Sequence, residues 1–500
     1  MAKNFLMLMI AIIFLLPNLA NAEEIIIFHT NDMHGRISST DDKGKSIGLA
    51  EMSAAFKFSK SQNKNTFWFD AGDTFNGTIR INISNGENLV PLLNQSGMDI
   101  FVPGNHDFNY SPEQLVNLSK KLKFSTLAAN VVKKDSGETI LNQYKIFKRG
   151  NLKIGVFGLA TPETAYKVVP SFFKNIVFLN PVDTAKEMLK ILRPQCDIVI
   201  AVMHMGIDPA SEFTSKRIAA ETEGIDLIID GHSHTELPQG LTVGETLIAQ
   251  TGCYEHYFGR VTINFEDGKI ISKKAELLDA AAVKKISPNP NKKILNSIKK
   301  IDAKNEKFLG EVIAHSDRKL DGERLTVRCG ESEIGNLCVD AFRWKTGADI
   351  AVINGGSIRS GLPTGDLTRG QILEIFPFSN QIKIAEINGK TVRQMLEHSV
   401  RVYPNELGGF LSVSGISFTV DAKKPAGQRV QDIFIGGQLL DENKIYTIAT
   451  SNFLFEGGDA YSMLKNITAK GGYGSDNSIL AEYINKFGTA GIELGRIKFL

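Results

Sequence analysis

Apolar runs that stop abruptly at polar residues organise the first half of this chain. Glu24-Ile-Ile-Ile-Phe28 is Ile-rich and short, and it gives way to His29-Thr-Asn-Asp-Met-His-Gly35. That pattern predicts a buried strand ending in a polar turn. The same shape recurs four times. Thr66-Phe-Trp-Phe-Asp70 runs into Ala-Gly-Asp73, and Met98-Asp-Ile-Phe-Val-Pro103 into Gly-Asn-His-Asp-Phe-Asn109. Cys196-Asp-Ile-Val-Ile-Ala-Val202 runs into Met-His204-Met-Gly206, and Asp226-Leu-Ile-Ile-Asp230 into Gly-His-Ser-His-Thr235. Further strands are predicted over 124–130 and 153–159. Helical spacing is predicted over 47–60, 112–121 and 185–192, and an amphipathic charged helix over 291–305. Alternating strands and helices give an α/β class, in which loops at strand ends carry the chemistry.

Length divides the pattern. Five hundred residues exceed one ordinary domain of roughly 100–200 residues. From Ile270 to about Asn291 the chain turns Lys- and Ala-rich and reaches Ser287-Pro-Asn-Pro-Asn291, which reads as a domain junction. The start is different again. Lys3 precedes an apolar stretch from Phe5 to Leu16, and Leu19-Ala-Asn-Ala22 follows Pro17. This fits a secretory signal over 1–22, too short for a span that needs about 20 apolar residues. Export, to a periplasm or beyond, is therefore expected, with no membrane span in the mature chain.

Composition narrows the partners. Lys plus Arg is 57 against 55 Asp plus Glu, a net charge of +2. That balance gives no footprint for nucleic acid or a membrane surface. Four cysteines are too few for a disulfide scaffold. Cys329 and Cys338 are close enough in sequence to bridge, and two free thiols are the equal alternative.

The polar strand ends carry the candidate chemistry. Asp32 and His34 alternate, as do His232 and His234, so each pair can face one way. Asp70 and Asp73 lie at one strand end, and Asn105 and His106 at another. The chain has nine histidines, and His34, His106, His204, His232 and His234 all fall at these ends. Oxygen plus imidazole with no thiolate suits divalent Zn, Mn or Fe in a hydrolytic centre. In the second half Gly355-Gly-Ser-Ile-Arg359, Pro377-Phe-Ser-Asn380, Gly408-Gly-Phe410 and Phe453-Leu-Phe-Glu-Gly-Gly-Asp459 stand out.

Together the five strand-end motifs resemble the calcineurin-like metallophosphoesterases. Past the signal, the whole chain resembles the secreted 5′-nucleotidase family, which includes periplasmic UDP-sugar hydrolase and 2′,3′-cyclic-nucleotide phosphodiesterase. The resemblance implies a four-layered αββα metallophosphoesterase domain over 23–285, a hinge helix within 286–308, and an α/β nucleoside-binding domain over 309–500. It implies two divalent metal ions. Asp32, His34, Asp73 and His234 would hold one, and Asp73, Asn105, His204 and His232 the other, with Asp73 bridging. It makes His106 the catalytic histidine. Substrate contacts would come from Asn354, Gly356, Arg359, Phe410, Phe453 and Asp459, the two Phe sandwiching a base.

Two positions depart from the family. Asn109 stands where an Asp often pairs with the catalytic His, and Ala460 where Gly usually follows the Asp. An amide can orient an imidazole but cannot stabilise its cation. The expected activity is hydrolysis of 5′-nucleotides to nucleoside and phosphate by metal-activated hydroxide attack, in a monomer or weak dimer. The alternatives are a 2′,3′-cyclic-nucleotide phosphodiesterase or a UDP-sugar or NAD pyrophosphatase. From another class, a silent secreted nucleotide-binding protein is the competing expectation.

Overall fold

The computed structural model describes residues 23–168, 170–465 and 467–500. The expected signal over 1–22 lies outside the described residues.

Fourteen strands build the first domain: β1 (Glu23–Thr30), β2 (Thr66–Asp70), β3 (Ile100–Phe101), β4 (Ser125–Thr126), β5 (Val131–Lys133), β6 (Tyr144–Arg149), β7 (Leu152–Ala160), β8 (Ile176–Phe178), β9 (Ile198–His204), β10 (Leu227–Ile229), β11 (Leu241–Val243), β12 (Thr246–Ala249), β13 (Phe258–Glu266) and β14 (Lys269–Leu278). Two six-stranded sheets result, in the orders β14-β13-β1-β2-β3-β4 and β11-β12-β10-β9-β7-β6. β1, β2 and β3 run parallel in the first, and β7, β9 and β10 in the second. Their near-continuous apolar runs follow from burial on both faces.

The two sheets stack on one shared core, with Ile25, Phe69 and Ile100 from one and Val156, Ile200 and Ile229 from the other. Helices cover the outer faces. Those over Leu49–Gln62 and Pro112–Lys121 pack on the first sheet, and that over Pro181–Leu192 on the second. The order helix–sheet–sheet–helix is the expected four-layer sandwich. His29 on β1 sits opposite Gly259 on β13. A Cβ at Gly259 would lie 2.1 Å from the His29 ring, so only Gly fits beneath that imidazole.

Three boundaries differ from the sequence pattern. The run expected as one strand over 98–103 keeps only Ile100–Phe101 in the ladder, because Val102 onward leaves it to build the site. Of the strand expected over 124–130 only Ser125–Thr126 forms as β4, and β5 begins beyond it at Val131. The Lys-rich stretch after Ile270 is β14, an edge strand on the first sheet. Its Lys269 and Lys274 are exposed, which blunts an edge that would otherwise pair.

The helix over Lys292–Leu309 buries Ile294 and Ile298. It touches the Leu49–Gln62 helix of the first domain and the Arg369–Ile375 helix of the second. The second domain has a four-stranded sheet of Ile382–Asn388, Ile445–Ser451, Ile350–Asn354 and Leu411–Ser414. A second four-stranded sheet contains Ile416–Val420 and Val430–Ile435. No helix among the described residues is long and apolar enough to cross a membrane.

Candidate active site

Every predicted polar strand end converges where the two sheets meet, because β1, β2, β3, β9 and β10 all terminate on the same side. Two groups of donors form. Asp32, His34 and His234 lie together, and so do Asp73, His204 and His232, with the donor atoms of each group within 4.8 Å of one another. Asp73 Oδ2 stands 3.2 Å from His204 Nε2 and 3.7 Å from His34 Nε2, and so faces both groups. Asp32 Oδ1 stands 3.2 Å from His234 Nε2. Asp32, His34, Asp73 and His234 all adopt positive φ, and strain of that kind in non-Gly residues gathers at functional sites.

The donor set fits metal ions. Asp32 Oδ1, Asn105 Oδ1 and His204 Nε2 are buried without a hydrogen-bond partner, a costly state unless something binds them. The remote ring nitrogens are anchored. His34 Nδ1 donates to Asn76 O at 3.2 Å and His204 Nδ1 to Ala71 O at 2.6 Å. A carbonyl only accepts, so Nε2 of both rings is left as the lone pair facing the cluster.

Asp107, the carboxylate that follows Asn105 and His106 in the strand-end motif, builds the cradle, a role its position in the motif does not disclose. Its Oδ2 accepts from Asp73 N and Gly104 N, both at 2.8 Å. Its Oδ1 accepts from Thr74 N at 2.9 Å and Phe75 N at 2.7 Å. Burial and the Asp73 carboxylate push Asp107 up to about 7, while four amides favour its anion. Asp70 instead accepts from Thr30 Oγ1 and Thr74 Oγ1, a structural role behind the site.

His106 is half-buried beside these groups. Asn109 Nδ2 donates to its Nδ1 at 3.0 Å and to Asn76 Oδ1 at 3.0 Å. The ring is thereby oriented with its proton on Nε2. Burial holds its pKa down at about 3, with the Asp73 carboxylate opposing.

The second domain supplies the opposite wall. Phe378, in the Pro377–Asn380 motif that had no assigned role, stacks on His106 with centroids 5.9 Å apart and planes at 12°. The Arg359 guanidinium lies 5.9 Å from the Phe378 centroid. Arg324 reaches to 3.4 Å from His234 Nδ1 and forks onto Glu406. Arg328 has a buried Nε with no partner. Burial, Arg324 and Arg359 push Arg328 down to about 9, with Glu406 opposing. Neither Arg324 nor Arg328 lies in a legible motif.

Asn354 Nδ2 donates to Asp459 Oδ2 at 2.7 Å, and Gly356 lies in the same short turn. These two and Asp459 therefore form one cluster. Phe453 and Phe410 share a hydrophobic core, with Phe410 only 2% exposed. Its backbone carbonyl accepts from Gly355 N. Phe378 thus stacks on His106, while the Phe410 and Phe453 rings are both buried. Cys329 and Cys338 are free thiols.

Comparison with known proteins agrees with this geometry. Residues 25–236 match the calcineurin-like phosphoesterase model and residues 312–466 the 5′-nucleotidase C-terminal domain model. The trifunctional nucleotide phosphoesterase YfkN of Bacillus subtilis is 29% identical over 93% of this chain, which spans only 34% of that longer protein. A 5′-nucleotidase of Diplobatis ommata is 28% identical over 93% of this chain and 87% of its own length. The crystal structure of a 5′-nucleotidase precursor from Thermus thermophilus superposes with a TM-score of 0.82 at 26% identity, covering 95% of this chain and 99% of that one.

Proposed function

We infer, for a chain that belongs to the calcineurin-like phosphoesterases bearing a 5′-nucleotidase C-terminal domain and is a metal-dependent phosphoester hydrolase, that its substrates are 5′-nucleotides cleaved to nucleoside and phosphate. The observation that carries the reading is the facing of two walls. From the second domain, Phe378 stacks on His106, Arg324 reaches His234, and the Arg359 guanidinium lies over the Phe378 ring. A phosphate between them meets donors from one side and guanidinium groups from the other.

Asp32, His34 and His234 would hold one divalent ion and Asn105, His204 and His232 another, with Asp73 between them. Zn or Mn suits that donor set. Such a pair supplies Lewis-acid charge neutralisation and a nucleophile at neutral pH. The chain's own residues do the rest. Arg359, Arg328 and Arg324 offset the phosphate charge, and Arg can do so bidentately. His106, neutral and oriented by Asn109, presents Nε2–H as a hydrogen-bond donor to the phosphoryl or leaving oxygen. Asn354, Gly356, Phe410, Phe453 and Asp459 would hold the nucleoside, with the half-buried Phe378 ring standing beside His106. Export and a monomeric or weakly dimeric state belong to the same proposal.

A second reading, turnover of 2′,3′-cyclic nucleotides or of sugar or dinucleotide pyrophosphates, is favoured by Asn109, which cannot pair with an imidazolium as an acid does. The test is phosphate release by the chain from residue 23 onward, with AMP, UDP-glucose or 2′,3′-cyclic AMP (the last two with added phosphatase). Each is run with Mn²⁺ or with EDTA. Release from AMP that needs Mn²⁺ and is lost in His106→Ala supports the nucleotidase. Turnover confined to another substrate replaces it with the second reading.

A further inference from the structure

Behind His232 stands a pair of charges that the reaction described so far does not use. Glu163 Oε2 lies 3.0 Å from His232 Nε2, and Glu163 is 8% exposed. Lys167 Nζ lies 3.0 Å from the same oxygen and 3.5 Å from His232 Nε2. A carboxylate only accepts, so its partner nitrogen carries the ring proton and Nδ1 keeps the lone pair. The turn after β7 fixes Glu163, with Glu163 N donating to Thr161 Oγ1 at 3.3 Å and Thr164 Oγ1 to Thr161 O at 2.7 Å.

The same segment reaches across the domain boundary. The helical turn Thr164–Lys167 packs on the turn Gly458–Ala460 of the second domain. That turn carries Asp459, and both Asp459 and Ala460 adopt positive φ, 49° and 62°. Two bonds brace it: Asn354 Nδ2 to Asp459 Oδ2, and His398 Nε2 to Asp459 O at 2.9 Å. The Lys167 charge acts on the Asp459 carboxylate, and Asp459 and Glu163 both act on Tyr166.

We propose that Glu163 and Lys167 are positioning residues: Glu163 fixes the tautomer and orientation of His232, and Lys167 links that fixing to the docked Asp459 turn. The segment thereby senses both the donor cluster and the nucleoside loop. The proposal rests on His232 as a metal ligand and Asp459 as a nucleoside contact. Remote carboxylates of this kind change metal affinity about 10–100-fold. An ion pair with a partly exposed Lys acts more weakly, about two- to fivefold.

The test uses the chain from residue 23 onward and two probes, p-nitrophenyl phosphate, which has no nucleoside, and AMP. Glu163→Ala should raise the Mn²⁺ dissociation constant, measured by isothermal titration calorimetry on the EDTA-stripped chain, about 10–100-fold, and raise the Mn²⁺ concentration for half-maximal turnover of p-nitrophenyl phosphate in step. Glu163→Gln, which retains an acceptor for Nε2–H, should recover most of that loss. Lys167→Met should raise KM for AMP about two- to fivefold and raise the p-nitrophenyl phosphate KM less. An unshifted Mn²⁺ requirement in Glu163→Ala, or equal losses in Glu163→Ala and Glu163→Gln, overturns the role of Glu163. Equal effects of Lys167→Met on both substrates overturn the link. The metal arm needs no nucleotide. Wild-type inertness toward AMP with intact p-nitrophenyl phosphate turnover would therefore remove the nucleotide reading and the Lys167 link together, and leave the Glu163 result standing.

Discussion

Replacing Asp107 by Asn tests the central claim about the cradle, namely that one carboxylate holds the loops of β2 and β3 together. The native group accepts four backbone N–H bonds of 2.7–2.9 Å, two on each oxygen. In Asp107→Asn one oxygen becomes an NH₂ group. Two amide donors then lose their acceptor and face a donor instead. The site is fully buried, so water cannot take over. Each orphaned buried donor costs about 1–3 kcal/mol, which predicts a loss of about 2–6 kcal/mol. The displaced donors are Asp73 N with Gly104 N, or Thr74 N with Phe75 N, so the Asp73 carboxylate should move off its position as well. Urea unfolding at pH 7 measures the first effect and the Mn²⁺ requirement for turnover the second. A variant within about 1 kcal/mol of wild type with an unchanged Mn²⁺ requirement would refute the reasoning.

Other consequences follow from the same geometry. A Cβ at Gly104 would lie 2.3 Å from Asp73 Oδ1 and 2.7 Å from His204 Cε1, so Gly104→Ala should abolish Mn²⁺-dependent turnover while leaving far-UV circular dichroism in place. Loss of the His106 donor in His106→Ala should lower kcat about 10²–10⁴-fold. Asn109→Asp should raise the His106 pKa and move the acidic limb of the kcat profile to higher pH. His29 is buried with both ring nitrogens unpartnered, and burial depresses its pKa to about 3. The unfolded chain takes up that proton below about pH 6.5, so its contribution is present above 6.5 and is lost as pH falls toward 3. The loss at pH 5 is about 2 kcal/mol, and His29→Met should flatten the decline in a urea titration repeated from pH 7 to 4.5.

The donors were legible because an apolar run that ends in Asp, Asn or His has no packing reason to do so. Five such endings in one fold class identify a site before any coordinate does. Asp107 escaped because it lies among the donors and differs from them only in where its oxygens point. Glu163 and Lys167 escaped because Thr-Pro-Glu-Thr-Ala-Tyr-Lys is an ordinary helical turn with an i,i+4 pair, indistinguishable from a solvated face. Arg324 and Arg328 act from another domain, and only docking reveals what they touch. Phe410 and Phe378 each sit in a motif, in a chain with 30 Phe, and nothing local separates a buried ring from one stacked on His106. The stretch after Ile270 misled because an edge strand and a linker both favour Lys.

Each donor group draws on both sheets: Asp32 and His34 from one with His234 from the other, and Asp73 from one with His204 and His232 from the other. His34 and His234 are separated by 200 positions along the chain. An ion held there is topologically a reversible cross-link that closes a very long loop, and such closures constrain the unfolded ensemble most. It also cannot nucleate folding, since neither donor group exists until the two sheets have docked. Metal uptake is therefore a clock for the last step of assembly. Its release should be the first sign that the sandwich is parting, ahead of any loss of helix or strand.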